Sequence, residues 1–111
     1  MKIVNSIDSD NIDAYLWAFT GNIADGITIY NKADGAGVTL FAESSANRTQ
    51  IKFGSKEDIS AVEGAITLFN IAYNGDGFAF SAQNDPTACF NRLGGATAEN
   101  LCFWTHANSP K

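Results

Sequence analysis

ITIYN at residues 27–31 returns as ITLFN at residues 66–70, keeping the first Ile, the Thr, an aromatic in the fourth place and the closing Asn. β-Branched and aromatic residues alternate in both copies, as they do in a strand half buried against a core. Outward from these pentapeptides, ITIYNKADGAGVTLFAES aligns with ITLFNIAYNGDGFAFSAQ. The alignment pairs Ala33 with Ala72 and, after a one-residue insertion in the second copy, Gly37 with Gly77 and Ala42 with Ala82. Each copy reads as strand, glycine-containing turn, strand, because Gly35, Gly37, Gly75 and Gly77 can take positive φ without a Cβ clash. A closing block follows. SKEDISAV, residues 55–62, matches TAENLCFW, residues 97–104, in Ser/Thr, Glu, Asp/Asn and Ile/Leu order, an acidic turn leading into another strand. The unit therefore repeats with a period of about 40 residues.

TQIKF and GFAFSA carry the same strand signals, and the segment 84–100 opens on the turn signal Asn84-Asp85-Pro86 and reads as a long loop. In DNIDAYLWAF, Ile12, Leu16 and Phe19 recur at helical spacing, while Tyr15, Trp17 and Phe19 fit period two, and the strand is favoured. The expected fold is all-β, a Greek-key β-sandwich of two tandem motifs in one domain over residues 1–111. Residues 1–26 form an N-terminal extension, 27–65 motif 1, 66–104 motif 2 and 105–111 a tail. One motif alone exposes an apolar sheet face, and two facing copies related by a pseudo-twofold axis bury it. With 45% hydrophobic residues, the chain has enough apolar material for one core, and Phe41, Phe53, Phe69, Phe78 and Phe80 are its expected aromatics.

A net charge of −5, with seven Lys and Arg spread singly, leaves no basic stripe to neutralise phosphate, so neither nucleic acid nor a membrane surface is an expected partner. No apolar run approaches the roughly 20 residues of a membrane span, and MKIVNSIDSD lacks the apolar core of a secretory signal. The expected location is the cytoplasm if Met1 is native, or outside the cell if the chain is a trimmed mature form. Cys89 and Cys102 are compatible with one disulfide or with two reduced thiols.

The pattern resembles the βγ-crystallin superfamily, whose domains pair two Greek-key motifs. Tyr30 and Phe69 stand at the family's opening aromatic, Gly37 and Gly77 at its hairpin glycine, and KEDISA and AENLCF at its late turn, over about residues 27–104. Several positions depart from the family pattern: Asn31 and Asn70 replace an acid, Thr39 and Ala79 replace a serine, and Lys56-Glu57 and Ala98-Glu99 replace paired Asn/Asp. The resemblance implies calcium sites of carbonyl, hydroxyl and carboxylate oxygens. Residue by residue it leaves Ser60 and the carbonyl of Asp58 for one site, and the carbonyl of Asn100 for the other, where Cys102 stands in the hydroxyl position. A thiol is a poor ligand for a hard cation.

Outside that resemblance, His106 has no Cys or acid at metal-ligand spacing, and the acids of SIDSDNID and Glu57-Asp58 read as turn residues. The expected function is a non-enzymatic binding or structural module. Trp17, Tyr73 and Trp104 are the candidate ligand-binding residues, because a surface ring beside Asn and Asp suits stacking on a sugar. That defines a lectin alternative. A secreted protease inhibitor or killer-toxin-like defence protein, using the 84–100 loop stapled by Cys89 and Cys102, is the other. The partner, whether small ligand, sugar or protein, is not specified by these residues, and an uncovered sheet edge or aromatic patch would allow a homodimer.

Overall fold

The computed structural model describes residues 9–10, 12, 16–73, 75, 77–93 and 100–105. Among these residues eight strands make one antiparallel sheet: β1 (Trp17–Asn22), β2 (Gly26–Asn31), β3 (Val38–Phe41), β4 (Lys52–Ser55), β5 (Phe69–Tyr73), β6 (Phe78–Ala82), β7 (Asp85–Leu93) and β8 (Asn100–Thr105), with a short helix α1 (Lys56–Ser60) after β4. The fold is all-β. The sheet runs β4-β3-β2-β5-β6-β7-β8, with β1 attached to β2 off this path. In the first half, β2, β3 and β4 follow one another and β5 returns beside β2, which is a Greek key. In the second half, β5 to β8 form a simple meander.

The two halves belong to one continuous sheet. β8 pairs back onto the segment leading into β4, through the Gln50–Cys102 bridge and hydrogen bonds from Arg48 N to Phe103 O, from Ile51 N to Leu101 O and from Phe103 N to Thr49 O. A second bridge, Ala42–Ile66, joins the end of β3 to the approach to β5. The sheet is thereby nearly closed into a barrel, which leaves few edges unpaired.

The repeat does not map onto equivalent positions. Ile27 lies inside β2, 4% exposed, and pairs with Phe69 of β5, whereas Ile66 precedes β5 and bridges to Ala42. A twofold relating the copies would instead have set Ile66 opposite Tyr30. The aromatics diverge too: Ile29 and Ile27 face the core, so Tyr30 faces outward, while Phe69 is fully buried at the core centre. Physically, β5 begins three residues later than the alignment expects, because Ile66 and Phe69 are held by different neighbouring strands. The closing blocks diverge as well. Residues 56–60 form a helix, while residues 100–105 form a strand. Ser55 caps α1: its Oγ accepts from Asp58 N at 3.2 Å, and the Asp58 carboxylate accepts from Ser55 N at 3.1 Å. This reciprocal capping box turns a short polar stretch into helix.

The core joins Ile27, Ile29, Leu40, Ala42, Ile51, Phe69, Ala82, Ala88 and Phe103, with Phe53, Ile71, Phe80 and Phe90 packed against it. Phe69 anchors the aromatic cluster, 5.4 Å edge-on to Phe90 and 6.3 Å from Phe103. Phe41 is buried on the other side of the sheet, where it crosses Gly54. Phe78, expected in the core, is 70% exposed instead. The expected 84–100 loop is largely strand β7, whose Ala88 and Phe90 point inward; residues 94–99 lie outside the described residues, as does His106. Of the hairpin glycines, Gly35 and Gly75 take positive φ, 80° and 94°, and Gly37 and Gly77 do not.

Candidate functional site

The β5–β6 hairpin carries its core-facing side beyond the core. Tyr73 pairs with Phe78 and Ile71 with Phe80, so these four side chains share one face of the sheet. Phe80 stacks on Phe90 at 5.4 Å and is tilted against Phe19 of β1 at 6.1 Å, which ties the strip to the core. Further along the same face, Tyr73 and Phe78 pack on each other at 5.5 Å and 59°, 68% and 70% exposed. The Tyr73 hydroxyl donates to Gly75 O at 2.9 Å, fixing the ring across the turn. The result is an aromatic pair pinned from below and open to solvent above.

The three expected ligand-binding rings do not converge. Trp17 is 40% exposed and lies parallel to Phe53 at 5.3 Å and 9°, so one of its faces is covered. Trp104, 41% exposed, lies opposite Cys89, on the outer side of β8. Only Tyr73 belongs to the strip. Sequence reasoning missed its partner Phe78, because GFAFSA reads as core; the glycine-flanked turn beside it was the available sign that the hairpin tip projects.

Cys89 and Cys102 are free thiols. They sit on adjacent strands, but Cys89 is opposite Trp104 and Cys102 opposite Asn91, so they are diagonal neighbours. Such diagonals stand about 7–8 Å apart, beyond the Cα separation a disulfide spans without backbone movement. Both side chains are buried, and burial pushes both thiols above their ordinary pKa, with the Asp85 carboxylate adding to the rise at Cys89 and Arg48 opposing it at Cys102.

The residues carried over from the calcium-binding resemblance occupy separate elements: Asp58 and Ser60 on α1, and Asn100 at the start of β8. The Asp58 carboxylate is used in the cap of α1, and the Ser60 hydroxyl donates to Glu57 O at 3.0 Å. Among the described residues no three His, Cys, Asp or Glu side chains cluster as metal ligands. A surface recess of about 170 Å³ is lined by Ala65, Ile66, Thr67, Leu68, Gln83 and Asn84. That is below the roughly 300–1,000 Å³ of ordinary small-molecule sites.

On the outer side of β5 to β7, Asn70 lies opposite Ser81, and Ser81 opposite Cys89. The Asn70 Oδ1 is buried without a hydrogen-bond partner. At the matching place in the repeat, Asn31 Oδ1 accepts from Ala33 N at 3.0 Å in an Asx turn. Compared with known proteins, the chain matches no family model, no curated protein and no solved structure.

Proposed function

We propose that this protein works by binding rather than catalysis, and that the Tyr73–Phe78 pair at the end of the β5–β6 hairpin is its contact surface. One observation carries the reading: two large rings, each more than two-thirds exposed, are held against each other and anchored by Tyr73 to Gly75 instead of being turned into the core. Covering such rings yields roughly 2 kcal/mol each by the usual area relation. Aromatic anchors of this kind dominate the energy of many interfaces. The pinned geometry lowers the entropy lost on binding.

Two exposed rings set 59° apart accept either an apolar side chain or the apolar face of a sugar ring stacked on one of them. The sugar reading is favoured by Tyr73, whose exposure well exceeds that of either tryptophan. Screening the protein against immobilised glycans and against immobilised hydrophobic peptides separates the two. Any ligand found should be lost on Tyr73→Ser/Phe78→Ser, with the thermal midpoint little changed because neither ring is buried. A ligand that still binds this double variant would refute the assignment.

A further inference from the structure

The strand β1 is attached off the main path of the sheet, and among the described residues it pairs with β2 alone. Among the described residues, no strand pairs with the other edge of β1. WAFTGN contains no charge and no proline, the residues that normally protect an edge strand from pairing with another chain. The surroundings are apolar as well: Leu16, Trp17, Phe19 and Ile23, on or beside β1, are 40–52% exposed.

We infer that β1 is a self-association strand, pairing antiparallel with β1 of a second copy across a twofold axis centred on Phe19. An isologous contact of this kind keeps the core-facing sides of both sheets on one face only if a residue sits opposite its own copy or an even number of places away. Centring on Phe19 sets Phe19 against Phe19 of the other copy and Trp17 against Gly21. A large ring then covers a position that has to stay glycine, since a Cβ on Gly21 would lie 2.6 Å from Gly26 O. The four apolar side chains offer about 350 Å² of exposed surface. That is a little under half of the roughly 800 Å² per partner of a standard interface, which fits a weak, reversible dimer. Because β1 itself is uncharged, two chains of charge −5 meet without opposing like charges at the seam. The remaining long-range repulsion is screened by salt.

Sedimentation velocity across a concentration series spanning about 10 µM tests this directly, that being the affinity range of a modest apolar interface. The expected result is a monomer–dimer equilibrium that tightens with added salt. Phe19→Lys should shift it at least tenfold toward monomer, while Tyr73→Lys should leave it unchanged. Ile23→Lys, in a turn outside the core, should weaken it by a smaller factor and guards against misfolding of the Phe19 variant, which circular dichroism checks. Hydrogen exchange should show amides of residues 17–22 gaining protection as concentration rises. A monomer at every concentration, a dimer indifferent to both Phe19→Lys and Ile23→Lys, or a dimer whose β1 amides gain no protection would each overturn the inference.

Discussion

Phe69 and Tyr30 occupy matching places in the sequence repeat and opposite places in the sheet, so truncating each to Ala separates the fold described here from one in which the repeat is structural. Phe69 is fully buried, edge-on to Phe90 at 5.4 Å and near Phe103. Its removal empties the junction between β5 and β2, where it faces Ile27. Losing a buried Phe costs about 3–5 kcal/mol, cavity included. Tyr30 points outward between Ala18 and Thr39 and is only partly buried, so Tyr30→Ala should cost about 1 kcal/mol, the lost contact with its cross-strand neighbours. Urea unfolding reads both. With a slope of about 2 kcal/mol per molar, the Phe69 variant should lose about 2 M in midpoint and the Tyr30 variant about 0.5 M. Total stability is about 5–15 kcal/mol, so at the low end of that range Phe69→Ala leaves the chain largely unfolded. Phe69→Leu, at about 1–1.5 kcal/mol, is the fallback and should still exceed Tyr30→Leu. Equal losses at the two positions would refute the placement.

Gly54→Ala should destabilise by about 1–3 kcal/mol, read as a fall in thermal midpoint, because the new Cβ would lie 2.6 Å from Cε1 of the buried Phe41 and 3.3 Å from Asp58 Cβ; Phe41→Leu in the same background should recover part of the loss. Asp85 has its pKa held below the ordinary carboxylate value chiefly by the side-chain hydrogen bond from Thr87, at 2.6 Å. Its contribution is therefore present above that ordinary value and lost as pH falls below it, so Thr87→Val should flatten the acid limb of the stability curve without changing stability at low pH. Cys89 and Cys102 should resist a thiol reagent in the native protein and react after unfolding; because burial raises their pKa, stability should decline as pH climbs through the ordinary thiol range, and Cys89→Ala/Cys102→Ala should remove that decline.

The strands legible in the sequence are those whose pattern and environment agree. ITIYN and GFAFSA alternate cleanly and form β2 and β6, and the period-two reading of Trp17 and Phe19 locates β1. What failed did so for local reasons. β7 contains Asp85, Pro86 and Asn91, residues poor at strand formation; Pro86 is tolerated near the strand's start and the Asp85 side chain serves Thr87 instead of ending the strand. α1 is five residues long, too short to show a helical period, and only the Ser55–Asp58 spacing could have announced it. Aligning that segment with the residues of β8 concealed it. Most of all, similar residues at a 39-place offset suggest similar surroundings, yet Ile66 is claimed by Ala42 and Ile27 by Phe69. Pairing across the sheet is a non-local choice that a repeat of pentapeptides does not encode. The candidate site was half visible: Tyr73 stood out, but whether Phe78 turns in or out depends on how far the hairpin outruns the core.

Closure of the sheet by β8 on the strand leading to β4 is the central claim, and backbone proximity measured by nuclear magnetic resonance tests it most directly. Cross-strand contacts between Gln50 and Cys102, with slowly exchanging amides at Ile51 and Phe103, are the predicted result. Rapid exchange at both amides, or no contact between Gln50 and Cys102, contradicts it.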